Sequence, residues 1–128
     1  MGFDHERLDV YQRALDFMVV AEEVIQGLPR GRGHLSDQLT RAATSIVLNI
    51  AEGTGKASAA DKRRYYLSAR GSAAEAAAIL DVCNRLSLLA PADCRDGKDI
   101  LQRIVSMLIK LARTLEDTDK PDPVPRPT

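Results

Sequence analysis

The sequence predicts an all-α, single-domain protein, an antiparallel up-down-up-down four-helix bundle with a short proline-rich C-terminal tail. Four segments repeat apolar residues at spacings of three and four, and no convincing strand pattern is present. Aromatic residues make up 4% of the chain and tryptophan is absent, so Leu, Ile, Val and Ala must build the core. A length of 128 residues fits one domain. Short connections between helices favour antiparallel neighbours.

The first two helices have recognisable ends. Gly27 and Pro29 stop the first helix. We expect the second helix to start near Ser36, acting as its N-cap. Gly53 and Gly55 are expected to end it, because glycine tolerates the left-handed conformation of a helix C-cap.

The third helix is predicted to begin at Ser58, with Asp61 three residues later in a weak capping box. It is expected to run for about 30 residues, since no proline interrupts it before Pro91. Pro91 suits the first position of the fourth helix. The predicted core stripe of the third helix is Tyr65, Ala69, Ser72, Ala76, Ile79, Cys83 and Leu86.

The first and fourth helices each carry two adjacent apolar stripes, wider than a monomer's core uses. Exposed apolar surface of this size usually marks an interface. The sequence therefore predicts a homo-oligomer. The candidate interface residues are Leu101, Val105 and Leu108.

The prolines near the C-terminus indicate where the helical domain ends. Four alternating prolines between residues 121 and 127 exclude helix. The bundle is therefore assigned to residues 1–116 and an extended or disordered tail to residues 117–128.

No apolar run reaches the length of a membrane span, and the N-terminus lacks a signal core, which predicts a cytoplasmic protein without membrane contact.

The net charge of zero conceals an uneven distribution. Residues 1–26 hold six carboxylates and two arginines, a net charge of −4. Residues 38–70 hold six cations and two carboxylates, a net charge of +4. The chain thus has an acidic first helix and a basic middle.

No residues form a recognisable catalytic or metal site. The only histidines, His5 and His34, belong to no helical metal motif. Cys83 and Cys94 are not spaced as a C-x-x-C pair, which predicts free thiols. We expect no enzymatic activity, no metal and no cofactor.

A polar constellation on the second helix is more informative. Arg41, Ser45, Asn49 and Glu52 share one helix face. In a hairpin with the third helix, we expect Arg41 to lie level with Arg70, Ser45 with Tyr66 and Asn49 with Lys62. Two interpretations stay open: an anion-binding strip, or a structural polar network made of Ser45, Asn49, Glu52, Ser72 and Glu75.

The stretch Lys62-Arg63-Arg64-Tyr65-Tyr66 interleaves cations with aromatic rings. Such patches bind nucleic acid through phosphate contacts and base stacking. Helical spacing instead places Tyr65 on the core stripe, with its hydroxyl at the edge. Both interpretations stay open.

The chain resembles a known family in three segments. These are Leu8-Asp9-Val10-Tyr11-Gln12-Arg13-Ala14, then residues 41–56 with Asn49-Ile50-Ala51-Glu52-Gly53, and Ala69-Arg70-Gly71-Ser72 followed by Glu75. The family includes the ribosomal-RNA intervening-sequence proteins and the accessory variability protein of diversity-generating retroelements. The resemblance spans about residues 8–115. Val47, Leu48 and Lys62 depart from the family's usual residues.

This resemblance implies an antiparallel bundle that assembles as a homopentamer with a basic surface. For the retroelement members it also implies binding of nucleic acid and a reverse transcriptase. The leading hypothesis is a non-enzymatic oligomer that binds RNA or DNA through the second and third helices. The alternative is a protein–protein assembly module that binds no nucleic acid. The candidate phosphate contacts are Arg41, Lys56, Lys62, Arg63, Arg64 and Arg70.

Overall fold

The computed structural model describes residues 2–119, which form four α-helices preceded by one 3-10 turn at Asp4–Arg7. The helices are α1 (Asp9–Gln26), α2 (Gly33–Thr54), α3 (Ala59–Arg85) and α4 (Pro91–Asp119). The described residues contain no strand. The predicted all-α class is therefore confirmed.

The helices form an antiparallel four-helix bundle. Each helix packs against the two beside it, and the diagonal pairs α1–α3 and α2–α4 make no close backbone contact in the described part of the chain. One cluster of buried residues runs through the centre and draws on all four helices. The largest fully buried side chains are Phe17, Leu39, Ile46, Ile50, Leu80, Cys83, Leu101, Ile104 and Leu108. Apart from one phenylalanine and one cysteine these are Leu and Ile, as the composition requires.

The start of α2 differs from the prediction. The helix begins at Gly33, and Ser36 lies inside its first turn with its backbone N–H bonded to the carbonyl of Arg32. Gly31 has a φ of 90°, a left-handed conformation that turns the chain before the expected cap. The helix therefore starts without a side-chain N-cap.

The end of α2 also corrects the role given to its glycines. Gly53 lies within the helix, and Gly55 caps it with a φ of −80°, a right-handed conformation. A Cβ at Gly53 would lie 2.9 Å from the Cβ of Tyr65 and 3.2 Å from the carbonyl oxygen of Lys62. Glycine is therefore needed at 53 for close approach of α3 and not for helix termination.

The predicted start of α3 is confirmed, but its core stripe is partly wrong. The Ser58 hydroxyl accepts a hydrogen bond from the backbone N–H of Asp61 at 3.1 Å, so it is the N-cap. Tyr66 is buried, whereas Tyr65 is half-buried and Leu86 is 45% exposed. Tyr66 takes the core position because α3 turns this side toward α2.

The fourth helix starts at Pro91, as predicted, and extends to Asp119. The predicted tail boundary at residue 117 is therefore wrong for residues 117–119. Pro121 disfavours helix only at the residue before it, which leaves the chain free to remain helical to 119. The rest of the predicted tail, residues 120–128, lies outside the described residues.

No helix in the described range is long and apolar enough to cross a membrane.

Candidate nucleic-acid interface and polar network

The polar face of α2 meets α3 through hydroxyl groups. The Oγ atoms of Ser45 and Ser72 lie 2.7 Å apart. The Asn49 side-chain amide donates to the carbonyl oxygen and to the Oγ of Ser45, both at 2.9 Å. The structure thus brings together three members of the expected network. They fix α2 against α3 at the edge of the core.

The two carboxylates of the expected network lie elsewhere. Glu52 is exposed and pairs with Lys56 at 3.5 Å, one turn along its own helix. Glu75 is exposed and has no hydrogen bond or ion pair among the described residues. The network is therefore neutral and hydroxyl-based, and neither carboxylate belongs to it.

The expected hairpin register was wrong. Ser45 pairs with Ser72 and not with Tyr66, and the Tyr66 hydroxyl instead lies 2.8 Å from the Thr54 Oγ. The Lys62 ammonium donates to the Thr54 carbonyl at 2.7 Å, far from Asn49. Ser45 therefore lies level with a residue six positions further along α3 than expected, a shift of nearly two helical turns.

Arg41 and Arg70 are consequently not neighbours. Arg63 reaches toward Glu116 of α4 with 4.0 Å between Nη2 and Oε2, and Arg70 lies two turns further along the same side of α3. Arg41 lies on the outer face of α2. Both Arg41 and Arg70 are exposed, and within residues 2–119 neither makes a hydrogen bond or ion pair. The observed register therefore does not support the anion-binding strip that was built on this pair.

A basic cluster does form at the end of the α2–α3 hairpin. The Nζ atom of Lys56 lies 5.1 Å from the centre of the Tyr65 ring, and the guanidinium carbon of Arg64 lies 5.2 Å from it. Cations at this range are attracted to an aromatic ring. Arg64 also pairs with Asp61 at 3.6 Å. We call Lys56, Arg64 and Tyr65 the hairpin-end cluster.

Two of the six candidate phosphate contacts are engaged inside the protein. Lys62 caps the C-terminus of α2 through Thr54, a position that favours a cation. The Nε of Arg63 is buried without a hydrogen-bond partner, and its guanidinium is directed to Glu116. The six residues therefore do not form one surface.

The proposed interface residues on α4 need a similar correction. Leu101 and Leu108 are at most 1% exposed, in the core of a single chain. They cannot also form the contact with a second copy, and only Val105 is half-buried. Ile104 of the neighbouring apolar stripe is also fully buried, so the inward face of α4 takes residues from both predicted stripes.

The structure also shows apolar surface on other helices. Large exposed side chains are Phe3, Leu15, Val19, Leu48, Val82 and Leu86. Leu48 lines a concavity of about 410 Å³ on the outer face of α2, together with Arg41, Thr44 and Glu52. Leu15 belongs to one of the two apolar stripes predicted on α1, whereas no sequence signal was identified for the exposed Val19.

Both cysteines are buried and free. Burial raises the pKa of the Cys83 thiol, and the nearby Cys94 raises it further. Burial likewise raises the pKa of Cys94, whose Sγ lies 3.6 Å from the carbonyl oxygen of Leu80. These thiols are protonated at neutral pH and are poor nucleophiles.

Asp81 and Lys98 form an exposed ion pair between α3 and α4, with 2.8 Å between Oδ1 and Nζ. The hydrogen bond to Asp81 and then its charge raise the pKa of Lys98. In the described part of the chain, no group of three or more His, Cys, Asp or Glu side chains could hold a metal ion.

Comparison with known proteins identifies the family of this chain. The family model described as 23S rRNA-intervening sequence protein matches residues 6–110. A crystal structure from Bacteroides thetaiotaomicron, of a protein with unknown function from the S23 ribosomal protein family, has a TM-score of 0.76 and 24% sequence identity. The match covers 81% of this chain and 98% of that one, and shows a shared fold. No curated protein matches the chain. The family match spans most of the bundle, and the chain belongs to the 23S rRNA-intervening sequence protein family.

Proposed function

We propose that this protein is a non-enzymatic cytoplasmic homo-oligomer, a pentamer, that binds RNA or DNA through basic side chains of α2 and α3. The proposal of nucleic-acid binding depends on the hairpin-end cluster, in which Lys56 and Arg64 both lie near the ring of Tyr65. Cations neutralise phosphates and release counterions, while an aromatic ring provides a surface for bases.

The local charge supports this choice of surface. Residues 52–66 contain four cations and two carboxylates. The side chain of Arg64 is 69% exposed, so its ion pair with Asp61 is weak and can be exchanged for a phosphate. The name of the family refers to a 23S rRNA, which makes RNA the first nucleic acid to test.

Assembly would strengthen such a surface. A single cluster of two cations binds weakly, but a ring repeats it once per subunit. The exposed Leu15, Val19 and Leu48 support assembly, because each leaves apolar area in water in a single chain. These side chains support the rival function equally well, which is a protein–protein assembly module. A reverse transcriptase, implied for some relatives, is one protein partner to test under either function.

The test is a binding titration by fluorescence anisotropy with single-stranded and double-stranded RNA and DNA. We expect affinity to fall steeply as salt rises, with a slope set by the number of phosphates neutralised. The variant K56E/R64E should lose at least about tenfold in affinity while keeping its helicity and mass.

The matched control is R103E/K110E, which reverses one arginine and one lysine at exposed positions of α4. It makes the same change in net charge and should bind much more tightly than K56E/R64E. If wild-type protein binds none of the four nucleic acids at low salt, the nucleic-acid function fails and the assembly module replaces it.

A further inference from the structure

The outer face of α1 carries a stripe of three exposed side chains. Leu15 is 36% exposed and Val19 is 60% exposed. Glu22 follows three residues later and is also exposed. Among residues 2–119, the only hydrogen bond that its carboxylate accepts is a long one of 3.5 Å from the side chain of Gln26. Spacings of four and three put Leu15, Val19 and Glu22 on one face of the helix.

The outer face of α2 carries a stripe with the same spacing in the opposite direction. Arg41, Thr44 and Leu48 follow one another at three and four, and all three line the concavity of about 410 Å³. Leu48 is 58% exposed. The exposed guanidinium of Arg41 makes no hydrogen bond or ion pair within residues 2–119.

The two stripes are complementary when the helices run antiparallel. Leu15 then faces Leu48, Val19 faces Thr44, and Glu22 faces Arg41. The contact has apolar groups against apolar groups at one end and opposite charges at the other. We propose that α1 of one copy packs antiparallel into the α2 concavity of a second copy, with Glu22 paired to Arg41 across the interface.

A second copy is the occupant that the charges favour. Residues 9–26 hold four carboxylates and one arginine, a net charge of −3, and Arg41 is the cation that α2 presents to Glu22 across the contact. The two stripes belong to different helices of one chain. When each of the two surfaces meets a different neighbour, the contact is heterologous, and its repetition forms a ring where the rotation closes.

This inference rests on the proposed self-association and locates it on residues other than Leu101 and Leu108. It also gives Arg41 a role in assembly, separate from the hairpin-end cluster. The guanidinium, which has no partner within residues 2–119, then acquires one from the neighbouring copy.

The test is a charge swap followed by sedimentation velocity at micromolar concentration. E22R and R41E should each weaken self-association at least about tenfold, because each places like charges together at the contact. The double variant E22R/R41E should recover most of the assembly, since it restores an opposite pair in reversed order. Circular dichroism checks that each variant keeps its helicity.

E23R is the matched control, because Glu23 is also exposed on α1 but lies beside Asp93 and Asp96 of α4. It should assemble like the wild type. If the wild type is oligomeric and the two single variants assemble unchanged, or if the double variant does not recover, this interface is wrong and self-association stands. If the wild type is a monomer, self-association itself fails.

Discussion

The side-chain hydroxyls of Ser45 on α2 and Ser72 on α3 lie 2.7 Å apart and set the register of the two helices. Replacing Ser45 with Ala removes this bond and one of the two acceptors of Asn49. We expect the free energy of unfolding to fall by about 0.5–1.5 kcal/mol, the usual net value of a hydrogen bond. Urea denaturation at fixed protein concentration measures it.

The control for this variant is Ser68→Ala. Ser68 is exposed, and only its backbone carbonyl accepts from Ser72. Its replacement should change stability by less than about 0.5 kcal/mol. Equal effects of the two substitutions would show that the Ser45–Ser72 bond does not stabilise the hairpin.

Replacing two glycines inside helices with alanine should change the free energy of unfolding in opposite directions. Gly53→Ala places a Cβ 2.9 Å from the Cβ of Tyr65 and 3.2 Å from the Lys62 carbonyl oxygen, so backbone must move. We expect a loss of about 1–3 kcal/mol from overpacking. A Cβ added at Gly71 of α3 would have no atom within 4 Å apart from the backbone of its own helix. Gly71→Ala should therefore raise the free energy of unfolding by about 0.5–1 kcal/mol.

Thermal denaturation of the two variants separates these outcomes by direction. A higher melting temperature for Gly53→Ala would contradict the close packing of α2 against α3. A lower one for Gly71→Ala would show that this position needs glycine for a contact outside the single chain.

Local signals allowed the C-terminal end of α1 and the start of α3 to be predicted, because Gly27, Pro29 and Ser58 act on the residues next to them. The register of α2 against α3 could not be predicted in this way. It depends on the path of the connection at residues 55–58, and that path places Thr54 beside Tyr66. The basic residues were therefore identified correctly by type but grouped wrongly in space.

The α4 stripes illustrate a second limit. Both are apolar, and the buried residues Leu101, Ile104 and Leu108 come from both, so periodicity alone did not separate core positions from outward ones. Leu101→Ala should cost about 2–5 kcal/mol, the usual cost of a core cavity. Val105→Ala should cost less, because the side chain is half-buried. Urea midpoints at two protein concentrations measure both, and a larger loss for Val105→Ala would contradict the deeper burial of Leu101 within the single chain.

The buried thiols predict a dependence of stability on alkaline pH. Burial raises the pKa of Cys83 and Cys94 above the ordinary value of 9.0, so the unfolded thiols ionise first and stabilise the unfolded state. Their contribution is fully present below 9.0 and is lost as pH rises through the higher folded values.

A variant with both cysteines changed to Ala should therefore lose less stability than the wild type between about pH 8 and about pH 10. Urea midpoints across this range measure the difference, with reductant present to prevent oxidation. Parallel pH profiles for the two proteins would mean that the thiols are accessible to water in the folded state.

Assembly underlies both the proposed function and the interface between α1 and α2. The most direct test is the mass of the wild-type protein in solution, measured by sedimentation equilibrium at micromolar concentration. We predict one closed species with five times the chain mass of 14.0 kDa. A single species of 14.0 kDa would contradict the account, because the exposed Leu15, Val19 and Leu48 would then have no partner copy.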